Sequence, residues 1–330
     1  MMGSRISGWG TCLPEGVLDN ETLAAQVGVT PEWIVERTGI SERRIASDEE
    51  TVSSLAAKAS VEALQVAGLE PTDVDTVILA TFTADYAIPA AAPLVASSIG
   101  ARGAAAYDLN AGCAGFLYAL AQADALVAAG TARRVLVAGS DVMSRCVDYT
   151  DARTCILFGD GAGAVVLEAC EGPSRLGPFR LGSDGSDPEL LWVRPDTGMI
   201  AMQGREVYRR AVEAMTTSVR EVLAGSGLTV DDIDLLVAHQ ANARILTAVG
   251  TRLGIDNDKV VTNIARVGNT SAASIPLALA EAASDGRIAD GDVVMLAAFG
   301  AGFTWGAGVL RWGAPVTDPT VEEKRGAVHA

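Results

Sequence analysis

The sequence predicts an α/β fold built from two similar halves, on two observations: strand-like and helical segments alternate, and the chain repeats itself at one fixed spacing. Short runs rich in β-branched residues recur at VDTVILATF (74–82), RRVLVAGSD (133–141), GAVVLEA (163–169), DLLVAH (234–239) and GDVVMLAAF (291–299). Such runs read as buried strands. Between them lie alanine-rich stretches with helical spacing, TVSSLAAKASVEALQVAG, GFLYALAQADALVAAG and EVYRRAVEAMTTSVREVLAGSG. Each ends on a glycine able to act as a C-cap. Alternation of this kind defines the α/β class.

The repeat follows from aligning EALQVAGLEPTDVDTVILAT (62–81) with EVLAGSGLTVDDIDLLVAHQ (221–240), which needs no gap. Six positions are identical: Glu62/Glu221, Leu64/Leu223, Gly68/Gly227, Leu69/Leu228, Asp73/Asp232 and Asp75/Asp234. The same offset of 159 residues lays NAGCAGF (110–116) on NTSAASI (269–275) and RRVLVAG on DVVMLAA. A chance match of amphipathic segments is the alternative, but one offset serves three separated segments, which favours a duplicated unit. The Gly/Pro/Ser-rich EGPSRLGP (171–178) suggests the boundary, giving halves of 1–172 and 173–317, with 318–330 as a polar tail expected to be disordered.

Composition excludes several function classes. With 49% hydrophobic and 20% charged residues among 330, the chain can bury a large core. The apolar stretch around 84–101 is interrupted by Asp85, Pro89 and Pro93, short of the roughly 20 residues a spanning helix needs. The opening MMGSRISGWGTCLPEG has no charged flank and apolar centre of a secretory signal, so a cytoplasmic protein is expected. Five cysteines, Cys12, Cys113, Cys146, Cys155 and Cys170, show no CxxC spacing, against a disulfide framework or a zinc site. A formal charge of −16 disfavours nucleic acid and anionic membranes as partners, and any acidic partner needs a local basic patch.

Three residues stand out chemically. Of two histidines, His329 sits in the polar tail, so histidine chemistry falls to His239, where a strand-like run opens into HQANARI. A lone histidine is more often structural than catalytic. Cys113, in DLNAGCAGFLYAL, sits where small residues crowd a helix start; the helix dipole and free N–H groups there are expected to draw its pKa toward the thiolate and make it a nucleophile. The competing reading is a small core residue at a tight turn, the expectation for the other four cysteines. Asn269, in RVGNTSAASIPLALA, is the repeat partner of Asn110 and could equally be a helix cap. The glycine-rich FGDGAGA (158–164) and FGAGFTWGAG (299–308) lack the strand-turn-helix order of a phosphate loop, and both read as tight turns that let backbone approach a central site.

Taken in order, EWIVERTGISERR (32–44), NAGCAGF, RTCILFGDGAGA (153–164), HQANARI (239–245), GNTSAAS (268–274) and FGAGFTWG (299–306) resemble the 3-oxoacyl-(acyl-carrier-protein) synthase III family of the thiolase superfamily, from about residue 5 to 312. The resemblance implies a five-layered αβαβα thiolase fold, a homodimer, and acyl-CoA and malonyl-acyl carrier protein as substrates, with no cofactor beyond the coenzyme A thioester itself. Cys113 would carry the acyl group, His239 and Asn269 would stabilise the enolate formed by decarboxylation, and the N–H groups of Cys113 and Ala301 would form the oxyanion site; the family usually has glycine at the latter position. Trp33, Arg37, Thr38 and Arg153 would hold the nucleotide end of coenzyme A, Gly204 and Asn242 would line the pantetheine channel, and Phe299 would gate Cys113. Ile88 would reach the partner's acyl pocket. Arg244, with Arg209, Arg210 and Arg252, would dock the acidic carrier protein. Sister chemistries are excluded by count: elongating synthases need two histidines, and degradative thiolases a late second cysteine, whereas no cysteine follows Cys170. Plant-type polyketide synthases lack the WIVERTGI and GNTSAAS wording. A polyketide-priming or acyltransferase relative and a non-catalytic scaffold remain as alternatives.

Overall fold

A computed structural model describes residues 2–313. The tail 318–330, with His329, lies outside the described residues. In chain order the first half contains β1 (Met2–Cys12), β2 (Gly16–Asp19), α1 (Asn20–Val27), α2 (Pro31–Thr38), β3 (Glu42–Ile45), α3 (Val52–Ala67), β4 (Thr76–Ala80), α4 (Ala91–Ile99), β5 (Ala105–Leu109), α5 (Gly115–Ala128), β6 (Arg134–Asp141) and β7 (Gly161–Glu171). The second half contains β8 (Leu176–Ser183), β9 (Leu191–Val193), β10 (Ile200–Met202), α6 (Gly204–Ser226), β11 (Leu235–Ala238), α7 (Ala243–Leu253), α8 (Ile264–Val267), α9 (Ser274–Ser284), β12 (Val293–Gly300) and β13 (Thr304–Arg311).

The two large sheets have the same topology. One runs β1-β7-β6-β4-β5 and the other β8-β13-β12-β11, and in each the first two pairings are antiparallel and the next parallel. Where β5 pairs with β4 through Val77 and Ala106, the second half retains one parallel bridge, Leu236 to Val260. Three of the identical pairs do the same work in both halves. Asp75 accepts the Arg134 N–H at 2.9 Å and Asp234 accepts that of Val293 at 2.8 Å; Asp73 and Asp232 cap their turns on Glu70 and Thr229; Gly68 and Gly227 end α3 and α6 at φ 67° and 69°.

Three apolar clusters hold five layers together. Between the two sheets, α5 and α9 form a middle layer, with Phe116, Leu120, Ile275 and Leu279 packed against Val137, Val165, Leu296 and Leu310. Helices α3 and α4 cover the outer face of the first sheet, and α6 and α7 that of the second. This is the αβαβα arrangement. The first turns of both middle helices are buried, which is why GFLYAL and SIPLALA are nearly all apolar, and polar Gln122, Asp124 and Glu281 enter only where the helices run out toward the surface.

All five expected strands and three expected helices are present, while β1 and β13 have no counterpart among the expected strands. Their glycines are there for closeness: a side chain at Gly8 or Gly10 would strike the backbone of α3 at Ala63 or Ala59, and one at Gly306 would lie 2.7 Å from the Arg180 carbonyl. FGAGFTWGAG is accordingly corrected: only residues 301–303 form a turn, and β13 begins at Thr304. FGDGAGA is corrected as well: its residues 161–164 are already the start of β7, and only 158–160 lie outside the strand.

Candidate active site

Where the halves meet, a cavity of about 890 Å3 opens at the C-terminal ends of β11 and β12 and the N-terminal ends of α5 and α9. Cys113, His239 and Asn269 all line it. The duplicated turns supply two of them. In the first, the Gly112 N–H donates to Asn110 Oδ1 at 3.2 Å; in the second, the Ser271 N–H donates to Asn269 Oδ1 at 2.9 Å. Gly112 and Ser271 share φ 52°, and Ser271 is the one non-glycine residue with positive φ among the described residues. A serine held in this disfavoured region is strained, a feature typical of functional sites. Its hydroxyl reaches Cys113 Sγ at 3.5 Å. With Oδ1 of Asn269 taken, the amide NH2 is the end left for the cavity. The Asn269 backbone is fixed by Leu157 and Gly159 at 2.8 and 3.0 Å, so FGDGAGA braces the site.

His239 follows β11 directly and its N–H donates to the Ala297 carbonyl at 2.8 Å, one step beyond the strand ladder. Nδ1 lies 2.6 Å from Ser274 Oγ at the start of α9. Burial pushes the imidazole down to about 3, so it is neutral at physiological pH. Burial likewise pushes the Cys113 thiol up to about 11, with the Ser271 hydroxyl opposing and the Asp141 charge adding. The expected thiolate is therefore corrected: desolvation is the largest influence on the thiol, which keeps its proton. Asp141, fully buried, accepts from Thr81 and Thr83 hydroxyls at 2.9 and 2.8 Å, from the Phe82 N–H at 3.0 Å and from the Ala272 N–H at 3.1 Å. It fastens the turn behind Cys113 to the end of β6.

The Cys113 and Ala301 backbones abut. A Cβ on Gly300 would lie 2.6 Å from the Cys113 nitrogen, and one on Gly112 would lie 3.1 Å from that of Ala301. Neither N–H has a carbonyl or side-chain oxygen as acceptor among the described residues. Two unspent donors side by side at the nucleophile suit an oxyanion.

The cavity also gathers Trp33, Arg37, Thr38, Arg153, Gly204, Asn242, Arg244 and Phe299. Arg37 stacks on Trp33 at 4.3 Å. Thr38 offers only its methyl face, since its hydroxyl donates to the Ile34 carbonyl and accepts from the Ile40 N–H. Asn242 caps α7 and donates to the Arg37 carbonyl at 3.0 Å. Arg153 is held by Asp151 through two contacts of 2.8 and 3.0 Å. Phe299 packs on Phe303, ring centres 4.8 Å apart. Arg209, Arg210, Arg252 and Ile88 do not line the cavity. Arg209 and Arg210, expected as docking cations, are engaged by Glu206, Glu213, Asp184 and Asp187: α6 places the two glutamates one turn away, and the loop between β8 and β9 brings the two aspartates alongside Arg210. Ile88 is 86% exposed.

Reading the sequence missed Ser271, Ser274, Asp141 and the exposed rim residue Arg205. It also missed an apolar wall of Val207, Ala211 and Met215 on α6, whose four-residue spacing was the available signal.

The family model for 3-oxoacyl-(acyl-carrier-protein) synthase III matches residues 107–185, and that for its C-terminal part matches 223–312. The beta-ketoacyl-(acyl-carrier-protein) synthase III of Erythrobacter litoralis is 49% identical over 321 residues, covering 94% of this chain and all of that protein. The crystal structure of 3-oxoacyl-(acyl carrier protein) synthase III from Pseudomonas aeruginosa superposes with a TM-score of 0.91 at 46% identity, over 94% of this chain and 99% of that one. The priming β-ketosynthase of the R1128 polyketide pathway gives 0.90 at 36% identity, over 95% and 97%. The chain belongs to the 3-oxoacyl-(acyl-carrier-protein) synthase III family of condensing enzymes, and has the thiolase fold.

Proposed function

We propose that the chain initiates acyl-chain assembly by two successive exchanges on Cys113. In the first, the sulfur attacks the carbonyl of an acyl-CoA; the carbonyl's bond to the coenzyme A sulfur breaks, and the thiol proton leaves with coenzyme A. The Cys113 and Ala301 N–H groups receive the oxyanion. In the second, a malonyl-acyl carrier protein loses carbon dioxide, and the bonding pair moves onto its thioester oxygen as an enolate. His239 and Asn269 donate to that oxygen. The enolate carbon attacks the acyl carbon, the bond from that carbon to Cys113 Sγ breaks, the released sulfur takes up a proton from solvent, and a 3-oxoacyl carrier protein departs.

The observation that carries this reading is the company Cys113 keeps: a neutral imidazole and an amide NH2, both in a largely apolar cavity. Neutral donors suit a charge that develops on oxygen, and each typically contributes about 10²- to 10³-fold. The nucleotide end of coenzyme A belongs at the rim with Trp33, Arg37 and Arg153, the pantetheine beside Gly204 and Asn242. Arg244, exposed at the rim without an ion pair among the described residues, is the carrier-protein contact. A dimer through the first sheet is supported by β5 pairing with β4 alone among the described residues and by Tyr86 and Ile88, which stand 59% and 86% exposed; in such a dimer Ile88 would reach the partner's acyl pocket. Substrates of this kind support a cytoplasmic location.

The test is direct. Incubation with a graded set of acyl-CoAs should add one acyl group to the Cys113 peptide, absent in Cys113→Ala, and malonyl carrier protein should discharge it with release of carbon dioxide. No adduct with any primer would defeat the enzyme reading. The likeness to the R1128 priming β-ketosynthase favours a second reading, in which a polyketide carrier protein accepts the chain. Comparing discharge by fatty-acid and polyketide carrier proteins separates the two.

A further inference from the structure

We infer that Ser274 is a positioning residue for His239: its hydroxyl donates to Nδ1 and so fixes the ring proton on Nε2, the nitrogen available to the cavity. The inference rests on the proposed enolate-stabilising role of His239 and adds the residue that makes the imidazole a donor.

Hydrogen-bond accounting carries it. His239 Nδ1 and Ser274 Oγ are 2.6 Å apart, and the residues are 2% and 1% exposed. With the ring neutral, one of its nitrogens donates and the other accepts. If Nδ1 carried the proton, Ser274 Oγ would be the acceptor and its own hydrogen would need a partner. No other acceptor for that hydroxyl exists among the described residues. An orphaned buried hydroxyl hydrogen costs free energy that the opposite tautomer avoids. Ser274 therefore donates, Nδ1 accepts, and Nε2 holds the proton.

The duplicated fold supplies an internal comparison. At the offset of 159 residues, His239 corresponds to Ala80 and Ser274 to Gly115. These occupy the same contact in the first half: a Cβ on Gly115 would lie 3.3 Å from the Ala80 Cβ. The helix start thus faces the strand end in both halves. A hydroxyl occurs there only in the half with an imidazole to orient, so the serine is not a requirement of packing a helix start against a strand end.

The chain's two histidines make the test clean. With 15N-histidine labelling, ring nitrogen shifts and long-range couplings should show His239 as the Nε2–H tautomer, His329 serving as a second signal. In Ser274→Ala the tautomer should become mixed or reverse. Condensation with malonyl carrier protein should fall at least about tenfold, bounded by the ~10²- to 10³-fold cost of losing one oxyanion donor. Acyl loading of Cys113 should stay within about twofold, and Ser274→Thr should restore both tautomer and turnover. An Nδ1–H tautomer in the wild type would overturn the inference whether or not any variant folds. Equal losses in loading and condensation, or an unchanged tautomer in Ser274→Ala, would reduce Ser274 to a structural residue. The tautomer is read without substrate, so its failure is distinct from failure of the condensing-enzyme reading.

Discussion

Acidification should destabilise the protein through His239 in a window set by its burial. Native His239 titrates at about 3, against an ordinary value of 6.5 that the unfolded chain recovers. The depressed value fixes the sign: above 6.5 the imidazole is neutral in both states and its full contribution is present, and between 6.5 and about 3 only the unfolded chain takes the proton. Stability therefore falls as pH drops through that interval. At about 1.4 kcal/mol per tenfold change in proton affinity, about 3 kcal/mol is lost by about pH 4.5, with more lost toward the bottom of the window. His239→Gln keeps an acceptor for Ser274 but does not titrate, so carboxylates and His329 act alike in both proteins. Urea unfolding followed by tryptophan fluorescence at pH 7, 6, 5 and 4.5 should show the wild type losing its excess stability stepwise. Parallel curves over that range would mean that native His239 protonates freely and that its neutrality is not enforced by burial.

Three further outcomes follow from the site. Free Cys113 should react with iodoacetamide at a rate that climbs about tenfold per pH unit from 7 through 10, as a thiol pushed up to about 11 requires, and a plateau below pH 8 would contradict that. Gly300→Ala places a methyl 2.6 Å from the Cys113 nitrogen and 2.9 Å from that of Ala114, both backbone atoms that cannot swing aside; acyl loading measured by mass should drop about 10²-fold or more, with a stability cost of about 1–3 kcal/mol in unfolding. Arg244→Ala should raise the KM for malonyl carrier protein roughly fivefold and flatten its salt dependence while leaving loading from acyl-CoA within about twofold, whereas a change confined to acyl-CoA kinetics would reassign Arg244 to the nucleotide.

The halves were legible because identical residues recur where identical backbone work recurs. Asp75 and Asp234 hold equivalent strand starts, and Asn110 and Asn269 fold equivalent turns. Strands β1 and β13 were not legible, since their glycines answer to helix α3, Arg180 and Phe179, partners remote in the chain or on another strand. Arg209 and Arg210 looked like free cations because a charge pattern alone does not say which carboxylates face them. Three turns of α6 and the loop before β9 supply that answer.

Cys113, His239 and Asn269 could be chosen from the sequence by count, spacing and resemblance. Their condition could not. That the thiol is protonated, that the imidazole is neutral and that Ser274 faces its Nδ1 all depend on desolvation and hydrogen bonds between segments 35 to 158 residues apart. The sequence determined which groups meet and in which half each resides. Only the tertiary structure decided which of them carry protons, because the free energy of a buried charge is set by everything packed around it, not by its neighbours along the chain.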